Sequence, residues 1–113
     1  MGGSKDEIIG LFSRAAATYN AVGPRFFSHF ARRLVSWVEV KPGSQVLDVA
    51  TGTGAVLLEV APRLGCHGRV VGVDITQAML ERAPEEIHRN AVRNAELRVM
   101  DAEHLAFDDD TFD

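Results

Sequence analysis

Residues 45–61 read QVLDVATGTGAVLLEVA. An apolar, β-branched run carries one acid, Asp48, and then meets two glycines one residue apart, Gly52 and Gly54. An apolar segment follows. The pattern predicts a strand handing over to a helix through a tight bend. Glycine lets the backbone turn without a Cβ and approach a ligand closely, and the first turn of the helix offers N–H groups with no intrahelical partner. A dinucleotide fingerprint would want a third glycine where this chain has Leu57, and no Lys-Ser/Thr pair follows, which excludes a P-loop. On these residues alone, a plain strand-to-helix turn without a ligand stays open.

The same character continues downstream. VLDVA, VVGVD and LRVM are three short apolar or β-branched runs, separated by the helix-like segments AVLLEVAPRL and TQAMLERAPEEIHRNAV. Pro62 is expected to end or kink the first segment early, and Pro84 to divide the second. Strand, helix, strand, helix, strand predicts right-handed βαβ units around a parallel sheet. Upstream, SKDE reads as a capping box with Ser4 as N-cap and Glu7 at the third helical position. Ile8, Ile9, Phe12, Ala16 and Tyr19 then recur at helical spacing, predicting a helix from about Lys5 to Tyr19. Pro24 suits the first turn of a second helix, with Phe26, Phe27, Phe30, Leu34 and Val38 along one apolar face. The cluster of Phe26, Phe27 and Phe30 is expected in the core, the alternative being that it flanks the entrance of a ligand pocket. KPGS at 41–44 is a turn.

Composition narrows the function classes. With 113 residues, 46% hydrophobic and 25% charged, the chain is ordinary globular material for one small domain. A formal net charge of -4 with dispersed acids disfavours nucleic acid, which needs a basic face. The single cysteine, Cys66, permits no intramolecular disulfide and suggests a reduced, cytoplasmic setting; it is expected to be a small, partly buried apolar residue. No run is long enough to span a bilayer, and MGGSKDEI lacks the apolar core of a signal peptide. The four histidines show no metal spacing, and Asp108 to Asp110 read as a solvated turn.

Three carboxylates give the strand pattern a chemical meaning. Asp48 lies in the first strand, Asp74 closes the second 26 residues later, and Asp101 follows the third after another 27. Parallel strands joined by crossovers point the same way, so the three acids gather at the carboxyl edge, where open α/β sheets bind ligands. Acids with no adjacent lysine favour hydroxyls, amines or a cation over phosphate. Asp74, 20 residues after Gly54, stands where nucleotide-binding sheets place an acid for the ribose hydroxyls.

In that order, VLDVATGTG, VVGVDITQAML and VMDAEHLAFDDDTFD resemble the first three motifs of class I S-adenosylmethionine-dependent methyltransferases, closest in flavour to the ubiquinone/menaquinone biosynthesis C-methyltransferases. The resemblance covers about Lys41 to Asp113, and FSRAAATYN matches the family's N-terminal cap more loosely. It implies an α/β fold, a Rossmann-like parallel sheet of strands one to three preceded by two helices and truncated before strand four. Residues 1–40 would be a helical cap and 41–113 a partial cofactor-binding domain. S-adenosylmethionine is the implied cofactor and S-adenosylhomocysteine the product. Asp48 and the backbone of Ala50, Thr51, Gly52 and Gly54 would hold the methionine end, and Asp74 the ribose diol. Ile75 and Met79 would pack near the adenine, whose amino group Asp101 would accept beside the Ala102 backbone. Tyr19 would close over the methionine moiety. Ala50 stands where many family members have glycine.

The implied activity is methyl transfer to a small molecule. The family's sheet normally has seven strands in the order 3-2-1-4 and onward, so these residues carry the donor half, and alone they are expected to be inactive. Catalytic residues and the acceptor are not legible. Strand one, lacking strand four beside it, is expected to pair in a homodimer through Val46, Leu47 and Val49. The alternative is a non-catalytic module that binds S-adenosylmethionine or S-adenosylhomocysteine or merely self-associates. A nicotinamide dehydrogenase half-domain is disfavoured by Leu57.

Overall fold

A computed structural model describes residues 3–16 and 24–113. Two helices, α1 (Gly3–Ala15) and α2 (Pro24–Trp37), precede a run of β1 (Gln45–Val49), α3 (Ala55–Leu64) and β2 (Arg69–Asp74). Two short helices, α4 (Gln77–Leu80) and α5 (Ala83–Arg89), then lead to β3 (Ala95–Val99). The strands form one parallel sheet in the order β1-β2-β3. The expected α/β fold with three parallel strands behind two helices is therefore present.

Its core follows from two periodicities. In α3, Leu57, Val60, Ala61 and Leu64 recur at helical spacing and are all buried. In β2, Val70, Val71 and Val73 are fully buried, as a strand covered on both faces requires. Gly72 is the point where helix, loop and strand meet. A Cβ there would lie 2.8 Å from both Leu57 Cδ1 and Thr51 Oγ1. The absent side chain lets α3 and the bend sit directly on the sheet.

Several expectations change. The first helix begins at Gly3, so Ser4 lies within it and not at its cap. The α3 helix passes through Pro62 and ends at Leu64; Pro62 lies in the last turn, where its missing N–H costs a single bond before Gly65 turns the chain at φ 67°. Pro84 does separate α4 from α5, sitting in the first turn of the latter. Phe30, Leu34 and Val38 are exposed and not core. The small side chains of Ala31 and Val35 are the buried stripe by which α2 packs on α3, leaving the bulkier apolar stripe outside. Cys66 is exposed in the turn after α3. Phe26 and Phe27 have side chains outside the description. Among the described residues no helix is long and apolar enough to cross a membrane.

On the far side of β1, Gln45 meets Asp113. Asp113 donates its N–H to the Gln45 carbonyl at 2.7 Å, and its carboxylate accepts from the Gln45 N–H at 2.7 Å. Gln45 thus points its backbone groups away from β2, and by strand alternation Leu47 and Val49 do the same.

Replacing Gly72 by alanine should cost about 1–3 kcal/mol, the usual penalty for overpacking. Urea denaturation should show a lower midpoint with an unchanged slope; an unchanged midpoint would mean that the bend and Leu57 retreat freely.

Candidate functional site

The carboxyl edge of the sheet is organised by a bend that doubles back three times. Ala50, Gly52 and Gly54 all take positive φ, at 59°, 58° and 93°. For Ala50, which carries a Cβ, that conformation costs roughly 1–2 kcal/mol, so the surrounding bonds must hold it. Thr51 donates its N–H to the Val73 carbonyl at 2.9 Å, tying the bend to β2. Gly54 in turn donates to the Thr51 carbonyl at 2.9 Å.

Two of the three acids brace this bend from inside. Asp48 accepts from the Thr51 hydroxyl at 2.6 Å, and the backbone N–H of Leu57 in the first turn of α3 favours its charged form. Burial raises its carboxyl above the usual range, with the Asp74 charge adding to the rise, while the Thr51 and Leu57 donors oppose it. Asp74 accepts from the Gly52 N–H at 2.9 Å on one oxygen and from the Thr76 N–H at 2.8 Å on the other. An ionised carboxylate has about four lone-pair sites, so each oxygen keeps one for a ligand.

The third acid is engaged differently. Asp101 accepts from the Lys5 ammonium at 2.6 Å and from the Glu103 N–H at 2.9 Å, and Lys5 also reaches Glu103 at 2.9 Å. The Lys5 hydrogen bond, followed by the Glu103 N–H, holds the Asp101 carboxyl below its ordinary range. Asp101 and then Glu103 hold the Lys5 ammonium above its own. Ligand atoms of Asp101, Glu103 and His104 lie within 4.8 Å of one another, a gathering that histidine spacing did not suggest, with the Lys5 ammonium already against two of its members.

Two clefts open beside the bend and meet at Ala50. One, of about 260 Å³, is lined by Asp74, Ile75, Asp101 and Ala102 of the sheet edge and by Lys5 and Ile8 of α1. The other, of about 400 Å³, runs between α2 and the bend, past Asp48, Ala50, Thr51 and Gly52. Of the residues singled out in the sequence, Asp48, Ala50, Thr51, Gly52, Asp74, Ile75, Asp101 and Ala102 border one cleft or the other. Gly54 lies buried against Ala83 and lines neither, since a Cβ there would meet Ala83 Cβ at 3.6 Å. Met79 is buried beneath Gly52, its Cε 3.4 Å from where a Cβ of Gly52 would lie. Tyr19 lies outside the described residues. Sequence reasoning missed Lys5, which is 96 positions from its partner, and the cleft-lining Arg33 and Trp37. It also missed the Thr51 hydroxyl as a partner for Asp48; a hydroxyl three residues after an acid at a bend was the available signal.

This architecture is that of a class I S-adenosylmethionine-dependent methyltransferase. The chain belongs to the methyltransferase domain family, whose model matches residues 46–113, and S-adenosylmethionine is the cofactor of that class. It is 38% identical to aklanonic acid methyltransferase DauC of Streptomyces sp. (strain C5), over 96% of this chain and 50% of that protein. It is 34% identical to the ubiquinone/menaquinone biosynthesis C-methyltransferase UbiE of Idiomarina loihiensis, over 96% of this chain and 45% of the relative. A solved S-adenosylmethionine-dependent methyltransferase from Aquifex aeolicus superposes with a TM-score of 0.66 at 26% identity, covering 74% of this chain and 44% of that one. The chain thus spans about half the length of these curated relatives.

Asp48 makes a pH prediction. A carboxyl raised on folding contributes stability that is fully present below its ordinary value of 3.8 and is lost as pH rises through the folded value. Asp48→Asn should therefore be more stable than the parent at pH 7, with the gap closing as pH falls below 3.8. Paired denaturation curves at several pH values check this; a parent more stable at neutral pH would show that the Thr51 and Leu57 donors outweigh burial.

Proposed function

We propose that these residues are the cofactor-binding half of a methyltransferase acting on a small molecule, with residues 1–40 as a helical cap on a partial domain of residues 41–113. The observation that carries this reading is the pair of half-used carboxylate oxygens on Asp74, beside a bend whose Gly52 borders the cleft without a side chain. Two remaining lone pairs on adjacent oxygens suit the two hydroxyls of a ribose. The cofactor would then run across Ala50. Its adenine would lie beside Ile75, Asp101 and Ala102, with Met79 supporting the bend from below. Its methionine end would lie along Asp48, Thr51 and Gly52, with Gly54 turning the chain beneath them; the ammonium would face Asp48, and Tyr19 would close over it. Lys5 would yield or share Asp101 when the adenine amino group arrives.

The sulfonium supplies an activated methyl group. Transfer forms a bond from the acceptor's nucleophile to that carbon as the sulfur–carbon bond breaks, leaving S-adenosylhomocysteine, and the acceptor gives up its proton. What the protein adds is chiefly orientation. The relatives carry about as much chain again beyond the matched portion, and acceptor-positioning groups are expected there. A small-molecule acceptor fits the names of the relatives, and a cytoplasmic setting fits the single reduced cysteine.

A non-catalytic, self-associating role shares one feature with this reading. β1 is an edge strand, and among the described residues the outward backbone groups of Leu47 and Val49 have no partner. We therefore expect a homodimer with Val46, Leu47 and Val49 at or near the contact.

Calorimetry should show S-adenosylhomocysteine binding that Asp74→Ala weakens about ten- to a hundredfold, the loss expected on removing a charged hydrogen-bond partner. Equal affinities would remove the ribose assignment. A radiolabelled-methyl assay on the 113 residues alone should stay at background, turnover being the contrary result. Light scattering at micromolar concentration should give about twice the 12.3 kDa chain mass; a cooperatively unfolding monomer would refute the edge-strand dimer.

A further inference from the structure

The cleft between α2 and the bend has an apolar wall that the core does not use. Phe30, Leu34 and Trp37 are 56%, 49% and 75% exposed and follow one another at i, i+4 and i+7, so they form a single stripe. The adjacent stripe, Ala31 and Val35, is the one packed on α3, with Ala31 at the edge of the cleft. All three exposed side chains line the cleft of about 400 Å³, a volume in the range of small-molecule sites.

Its charge pattern is specific. Arg32 is held by Glu59 at 3.7 Å, whereas the neighbouring Arg33 has no carboxylate within 4 Å among the described residues. Its guanidinium lies 5.7 Å from the centre of the Trp37 ring and lines the same cleft. A planar guanidinium without a counter-ion, set against an aromatic wall, suits a carboxylate or other flat anion in bidentate contact. Asp48 also lines this cleft, and one of its oxygens is engaged by the Thr51 hydroxyl at 2.6 Å.

We propose that this cleft binds a flat aromatic acceptor bearing an anionic group, with Arg33 pairing the anion and Phe30, Leu34 and Trp37 forming the wall beside Ala50 and Gly52. It rests on the methyltransferase reading for the word acceptor, and names the substrate class that reading left open. Arg33 selects for charge, and the wall selects for shape.

Trp37 is the sole tryptophan, so its indole N–H gives one isolated nitrogen-15 resonance that reports on the cleft. The 113-residue chain is titrated with 2-naphthoate and, separately, with the uncharged 2-naphthalenemethanol, each with and without S-adenosylhomocysteine. Naphthoate should shift the Trp37 resonance with an affinity about tenfold above that of the alcohol. Arg33→Gln should bring naphthoate down to the alcohol's level and leave the alcohol unchanged, while Leu34→Asp should weaken both. Equal affinities for the two probes, or an Arg33→Gln variant that still favours the anion, would overturn the proposal. So would loss of a dimer on Leu34→Asp with no probe effect, which would assign the face to a second copy. S-adenosylhomocysteine binding without probe binding sinks this inference and leaves the cofactor site standing. Arg33-dependent probe binding without S-adenosylhomocysteine binding sinks the methyltransferase reading and leaves an aromatic-anion site.

Discussion

The hydrogen bond from the Gly52 N–H to Asp74 is the tie on which the site depends. It joins the loop leaving β1 to the end of β2, and it can form only if the bend presses down on the sheet. Gly72 permits that approach by leaving room for Thr51 and Leu57. Positive φ at Ala50 and Gly52 shapes the bend so that the Gly52 N–H meets Asp74. The strain stored at Ala50 is offset by bonds it does not itself make, from Thr51 to Val73 and to Asp48. Site and core are therefore one construction: loosen Gly72 or Leu57, and the carboxylates lose their registration.

Much of this was legible because it is local or periodic. Alternating apolar runs with two glycines after β1 gave strand, bend and helix in the right order, and Pro84 fell at a true helix start. Crossover chemistry then placed Asp48, Asp74 and Asp101 at one edge without any knowledge of their contacts. What escaped reading was long-range. No pattern in SKDE announces that Lys5 will meet Asp101, and helix capping was the natural use for that segment. Cys66 was misjudged because a residue type that prefers burial happened to fall in a turn.

The largest error concerns α2, and its cause is physical. Two apolar stripes compete on that helix, and hydrophobicity alone favours the one with phenylalanine and leucine. Packing favours the other, because Ala31 and Val35 let the helix axis come close to α3, where dispersion contacts are dense. The bulky stripe is left exposed, against the usual economy of small domains. A sequence that keeps such a stripe beside a cleft, with an arginine in its midst that meets no carboxylate among the described residues, has a surface to cover.

The three acids also differ in how readily each can meet a ligand. Asp48 is partly buried and held by the Thr51 hydroxyl, so its carboxylate is already aimed, and partial burial opposes its charge. Asp74 is half-used by backbone donors that stay in place, and it needs no rearrangement to accept two more. Asp101 is masked by a charged side chain, through an ion pair open to solvent and weakened by salt. Lys5 keeps Glu103 as a second partner, so displacing it from Asp101 leaves its charge satisfied. The end of the cleft that a side chain covers is thus held by its most solvent-open contact.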